Sequence, residues 1–189
     1  VQPEPLGSGH AVLQAVETLT DLDTVVVLSG DVPLIRSETI RDMIRVHNER
    51  EAGVTLLTST PANPDGLGRV VRAPSGDITG VVEESEADKA TLGISEINGG
   101  AYCFLGAWLA KSLGMIPRSS RGEIFLTDTI ALASQQGITV ESVQSEDPSE
   151  TLGVNTRVQL AETEAVLRRR ILERWMLYGV TIQDPASVY

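Results

Sequence analysis

The sequence contains one cysteine in 189 residues, Cys103, so no internal disulfide framework can staple it. Cys103 sits in the apolar run Tyr102-Cys103-Phe104-Leu105 and is expected in the core. Positive charge is scarce: 15 Lys plus Arg stand against 26 Asp plus Glu, a formal net charge of -11. A basic nucleic-acid footprint is therefore not expected over the whole surface, which leaves room only for a local patch. The acidic balance does not exclude nucleotides, whose phosphates can be held by backbone N–H groups and a metal ion. Long apolar runs are also missing. Runs such as Val25-Val26-Val27-Leu28 stay well below the roughly 20 residues that span a bilayer. No secretory signal is visible, which makes a reducing, cytoplasmic location the expectation. An initiator methionine is absent. The chain opens Val1-Gln2-Pro3-Glu4-Pro5 and passes at once into a glycine-rich turn, Leu6-Gly7-Ser8-Gly9-His10. A nucleotide site usually has supporting strands before such a turn, so the first part of the domain is expected upstream.

What is present reads as one globular domain, since 41% of residues fall in the AVILMFWYC set. Val12, Ala15, Val16 and Leu19 recur at helical spacing and predict a helix over Ala11 to Leu19, with Ser8 as its cap. Thr24 to Leu28 predicts a strand buried on both faces. A second helix follows from Ser37, with Ile40, Met43, Ile44 and His47 on one face, and Val54 to Thr58 predicts a second buried strand. Strand, helix, strand with apolar strands is the pattern of a mostly parallel sheet covered by helices. Arg69-Val70-Val71 and Ile78 to Val82 flank an Ala73-Pro74-Ser75-Gly76-Asp77 turn and predict a β-hairpin. Strands are expected at Ile97 to Leu105 and Ile138 to Val143, and helices around Trp108 to Leu113 and Leu126 to Gln136. A long helix begins at a Thr156/Gln159 capping box. It carries Leu160, Leu167, Ile171, Trp175 and Tyr178 as its apolar stripe and stops at Gly179. His47 is read as a surface or boundary residue, and Arg168-Arg169-Arg170 as a solvated helix surface.

Three features could carry chemistry. Gly7-Ser8-Gly9 before a helix permits close backbone approach to an anion. It matches neither the P-loop nor the dinucleotide spacing, and a plain helix-opening turn explains it as well. Asp31 follows a predicted strand, where ligand crevices form in open α/β sheets. A carboxylate there can hold Mg2+ against a phosphate, or make an Asx-type turn before Pro33. Asn155, just before the long helix, can cap it or offer an amide oxygen to a metal. His10 and His47 have no Cys or His partners at zinc-site spacing. Ser8 has no visible His and Asp arrangement, so covalent hydrolase chemistry has no support.

Seven segments in order then point further. They are Leu6 to Ala11, Gly30-Asp31-Val32-Pro33-Leu34, Gly68-Arg69-Val70-Val71, Val81-Val82-Glu83-Glu84, Glu96-Ile97-Asn98-Gly99-Gly100, Gly122 to Asp128 and Gly153 to Arg157. Together the chain resembles the uridyltransferase domain of the bifunctional enzymes that make UDP-N-acetylglucosamine, within the sugar-nucleotide transferase superfamily. The resemblance implies an α/β, Rossmann-like (GT-A-like) fold with a mixed, mostly parallel sheet whose N-terminal part lies outside these residues. It implies a uridyltransferase domain over 1–157, a linker helix over 158–179 and the start of a left-handed β-helix acetyltransferase domain over 180–189.

Site roles follow from the same resemblance. Gln2, Gly7 and Ser8 are implied nucleotide contacts. Gly68, Glu83, Asn98 and Asn155 are implied sugar-phosphate contacts. Asp31 and Asn155 are implied Mg2+ ligands. The implied reaction joins UTP and N-acetylglucosamine 1-phosphate into UDP-N-acetylglucosamine and pyrophosphate. The parent protein is expected to be a homotrimer that also acetylates glucosamine 1-phosphate with acetyl-CoA, with no nucleic-acid or membrane partner. The family's glycine-rich triphosphate loop and catalytic lysine precede the first residue here, so these 189 residues alone are expected to be inactive. Gly99 stands where the family usually has threonine, and Thr156 where it has a second asparagine. Another sugar-nucleotide pyrophosphorylase, or a binding remnant without turnover, are the alternatives.

Overall fold

A computed structural model describes residues 2–119 and 122–189. Its centre is β5 (Ile97–Leu105), a nine-residue strand with the apolar residues Tyr102, Cys103 and Phe104 all buried. β1 (Thr24–Leu28) pairs with the second half of β5, antiparallel, from Thr24 opposite Leu105 to Leu28 opposite Ala101. β2 (Val54–Ser59) pairs antiparallel along its other side, and β6 (Val140–Gln144) adds to β2 in parallel. The hairpin of β3 (Arg69–Arg72) and β4 (Ile78–Val82) joins at the start of β5, where Arg69 faces Ile97.

The sheet is therefore mixed and mostly antiparallel, with β2–β6 its one parallel pair among the described strands. The mostly parallel sheet expected from the sequence is overturned. β1 and β2 do run in the same direction, flanking a helix in sequence, but β5 lies between them and runs opposite to both. An apolar run does not report which strand lies beside it. β1 also departs from the expected two-sided burial. Val26 and Leu28 are exposed, whereas all six residues of β2 are buried.

The helices pack on this frame. α1 (Ser8–Leu13) and α2 (Val16–Leu19) replace the single helix expected, broken at Gln14-Ala15. α3 (Ser37–Glu49) buries Met43 and His47 against the sheet. His47 is thus a core residue rather than a boundary one, with Nδ1 3.1 Å from the Thr55 hydroxyl, and burial lowers its pKa. α4 (Lys89–Leu92) is a single turn capped by Asp88. α5 (Gly106–Ser112) and α6 (Asp128–Gln135) enclose the main core with Phe104, Leu109 and Ile130. α7 (Arg157–Leu177) opens with the expected Thr156/Gln159 capping box. It closes at Gly179 (φ +94°), whose N–H donates to Met176 O while Val180 N–H donates to Trp175 O, a Schellman end.

α7 turns a different face inward from the one expected. Leu160, Leu167, Ile171, Trp175 and Tyr178 are all exposed, while Thr163 and Leu172 are buried and Arg170 is largely covered. No described helix is long and apolar enough to cross a membrane.

Candidate functional site

The glycine-rich turn lies against the chain itself. Ile124 N–H donates to Leu6 O and Gly9 N–H to Ile124 O, each at 2.8 Å. Gly7 has φ +98°, and a Cβ there would stand 2.5 Å from Ile124 O. Only glycine allows both the conformation and the approach. Ser8 does not cap α1; its Oγ accepts the Leu126 N–H at 3.0 Å. Gln2 donates to Gly7 O at 3.2 Å and lies 2.8 Å from His10 Nδ1. These bonds pin the turn to the segment that leads into α6.

That pinning forms one wall of a cleft of about 400 Å³. Ser8, Asp31, Glu83, Asn98 and Thr127 line it together, although they come from five separate stretches of chain. Asp31 is exposed in the turn after β1. Glu83 directly follows β4, and its Oε1 accepts the Thr127 hydroxyl at 2.8 Å. Its other oxygen faces Gly68, where an added Cβ would come within 3.4 Å. Asn98 N–H donates to Gly68 O at 2.9 Å, and its side chain donates to the Tyr102 hydroxyl at 2.6 Å. Gly68, Glu83 and Asn98 are thereby brought together. Burial, joined by the Glu83 charge, raises the Tyr102 pKa and keeps the phenol neutral. Burial also raises the pKa of Asp128, beside the cleft, helped by Glu86 and Glu83.

Asn155 is placed differently. It is exposed and lines a neighbouring groove with Leu67, Gln159 and Thr163 rather than the cleft. The two segments nonetheless touch, because Val154 N–H donates to Asp31 O at 2.8 Å. Asp31 and Asn155 supply two hard oxygen donors on adjoining strips of backbone. Among the described residues, no group of three or more His, Cys, Asp and Glu gathers as a metal centre. A larger cavity, about 660 Å³, runs along α3, but its Arg36, Asp147 and Glu150 are already paired with one another.

Two cleft residues escape a reading of motifs one at a time. Thr127 lies inside the Gly122 to Asp128 segment without being singled out, and Tyr102 looks like core. The available signal was order along the chain: Thr127 follows the segment that packs on Ser8, and Tyr102 is four residues from Asn98.

The nucleotidyl transferase family model matches residues 1–175. The bifunctional protein GlmU of Desulfitobacterium hafniense (strain DSM 10664 / DCB-2) is 47% identical over 191 residues, covering 100% of this chain and 42% of that protein. The bifunctional protein GlmU of Acetivibrio thermocellus is 47% identical over 190 residues, covering 100% of this chain and 41% of that protein. The one from Corynebacterium diphtheriae is 40% identical over 191 residues, covering 100% and 40%. The chain thus spans about two fifths of the length of these relatives. With a family model matched over most of its residues, the chain belongs to the nucleotidyl transferase family.

Proposed function

We propose that this chain is the larger part of a uridyltransferase domain that joins UTP and N-acetylglucosamine 1-phosphate into UDP-N-acetylglucosamine and pyrophosphate. The observation that carries this reading is the single cleft shared by Ser8, Asp31, Glu83 and Asn98. In this reading a sugar-phosphate oxygen attacks the α-phosphorus of UTP. A new P–O bond forms there, the bond to the bridging β-phosphate oxygen breaks, and pyrophosphate leaves. The nucleophile is already an anion, so no general base or triad is needed. Glu83, with one oxygen engaged by Thr127, accepts a sugar hydroxyl with the other. Asn98, oriented by Tyr102, presents its second amide hydrogen. Ser8 and the Gly7 backbone hold the nucleotide against the 124–126 segment, with Gln2 at the base edge.

Asp31 and Asn155 would hold Mg2+. Two exposed hard-oxygen ligands suit an ion that keeps several waters and shares substrate phosphates. When bound, the ion neutralises phosphoryl oxygens as charge moves toward pyrophosphate. The rest of the chain's contribution is alignment. Residues 180–189 are read as the start of a second domain, to which the acetyl-CoA chemistry and trimer of the bifunctional enzymes would belong.

The test uses a polypeptide of the relatives' full length carrying these 189 residues, with pyrophosphate release as the readout. Asp31→Ala should lower uridyl transfer by at least about 100-fold, the scale of losing a strong transition-state electrostatic contact. Near-normal turnover at saturating UTP, sugar phosphate and Mg2+ would reject the assignment. Turnover with another sugar phosphate in place of the N-acetylglucosamine compound would move the reading to a different pyrophosphorylase.

A further inference from the structure

Resting on the reading that Asp31 and Asn155 share a cation, we propose that Arg170 is a positioning residue that sets their spacing. The two ligands come from loops far apart in sequence, and one backbone bond, Val154 N–H to Asp31 O, joins them directly. A single hydrogen bond between exposed loops is a weak constraint. A strut of side chains joins the same two loops further along their length. The Arg170 guanidinium donates to Leu34 O at 2.7 Å, on the Asp31 side. It also donates to Asp147 Oδ2 at 2.9 Å and to Ser149 Oγ at 2.8 Å, on the Asn155 side. Arg36 reinforces the crossing. Its guanidinium donates to the same Asp147 oxygen at 2.7 Å, and its backbone N–H donates to the buried Glu150 carboxylate at 3.1 Å. The Thr39 hydroxyl donates to that carboxylate at 2.6 Å.

Arg170 itself stands on α7, the helix that starts beside Asn155. The Gln159 side chain accepts both the Asn155 and the Thr156 N–H at 2.9 Å, so Asn155 moves with the helix. Arg170 lies 13 residues into that helix, a lever of about 20 Å. It therefore acts through the loops and the helix, not on substrate. Its neighbours in the arginine run behave otherwise: Arg168 lies over the Tyr189 ring and Arg169 is exposed. Three acceptors on two loops suit the planar fork of arginine and not the point charge of lysine.

The experiment uses the full-length polypeptide as wild type, Arg170→Met, Arg170→Lys and Asp31→Ala. Binding of Mn2+ alone is followed by electron paramagnetic resonance, and deuterium uptake is measured on the metal-free protein. Arg170→Met should weaken Mn2+ binding by about 10-fold, the low end of the range for losing a group bonded directly to a metal ligand, because Arg170 acts on the ligands through their loops. It should also speed exchange in residues 29–36 and 147–156 while β2 and β5 stay protected. The KM for sugar phosphate should not change, and Arg170→Lys should fall between. Unchanged Mn2+ affinity in Arg170→Met, with affinity lost in Asp31→Ala, overturns the positioning role and leaves the metal reading standing. Unchanged affinity in Asp31→Ala removes the metal reading and this proposal with it. Should Arg170→Met fail to fold, Asp147→Asn decides, because it keeps the side-chain shape while removing the shared charge. Weaker Mn2+ binding there supports the strut, and unchanged binding overturns it.

Discussion

Gly99 shows how a single residue's meaning changes once its surroundings are known. As a departure from the family's threonine it suggests altered sugar recognition. In the fold, a Cβ at Gly99 would stand 2.9 Å from Leu57 Cγ and 2.9 Å from Thr151 Cγ2. It would enter the packed region between β2 and the segment before α7, not the cleft. Gly99→Thr should therefore destabilise the protein by about 1–3 kcal/mol, the range for overpacking a filled site. A lowered thermal midpoint with an unchanged KM for sugar phosphate is the expected result, and a changed KM at wild-type stability would refute it. Glu83 carries the opposite prediction. Its carboxylate is exposed to the cleft while one oxygen is held by Thr127. Glu83→Gln should raise the KM for sugar phosphate about 10-fold or more, the scale of a lost charge-assisted hydrogen bond, with the unfolding midpoint retained. At this scale the sequence had marked Ser8, Asp31, Glu83 and Asn98, and the fold gathers them. It had not marked Thr127 or Tyr102, because a hydroxyl earns its role from a partner 44 or four residues away.

Elements whose signals are local match the sequence closely. The β3–β4 hairpin, the span of β5, and the capping box and glycine stop of α7 all depend on residues within a few positions of one another. Thr156→Ala should accordingly cost about 1 kcal/mol through loss of the N-cap bond to Gln159 N–H, readable by urea denaturation. The buried face of α7 was not legible. Its apolar spacing pointed to Ile171, yet Ile171 is exposed and Leu172 beside it is buried. Leu172→Ala should cost about 2–5 kcal/mol, whereas Ile171→Gln should stay within about 0.5 kcal/mol. Equal losses for the two would mean that the helix packs on its other face in solution. Arg170 explains the inversion. Its three hydrogen bonds turn a polar face inward, and an apolar periodicity cannot report such contacts.

For the molecule as a whole, stability should depend on pH through His47. Burial lowers its pKa from 6.5, so the native ring stays neutral where the unfolded ring takes up a proton. Stability should therefore fall as pH drops below about 6.5 toward the depressed native value. His47→Gln should flatten that slope in urea midpoints taken from pH 7.5 to 5.5, and an unaltered slope would refute the assignment. The sequence by itself determined most element types, the absence of disulfides and long apolar spans, and the motif order that places the chain in its family. Those properties are written in neighbouring residues or in simple composition. Only the tertiary structure decided that β5 separates β1 from β2, that the sheet is mostly antiparallel, and that Asp31 and Asn155 lie on touching strips of backbone. Strand neighbours are chosen by hydrogen-bond pairing between distant segments, and an apolar strand is equally buried beside a parallel or an antiparallel partner.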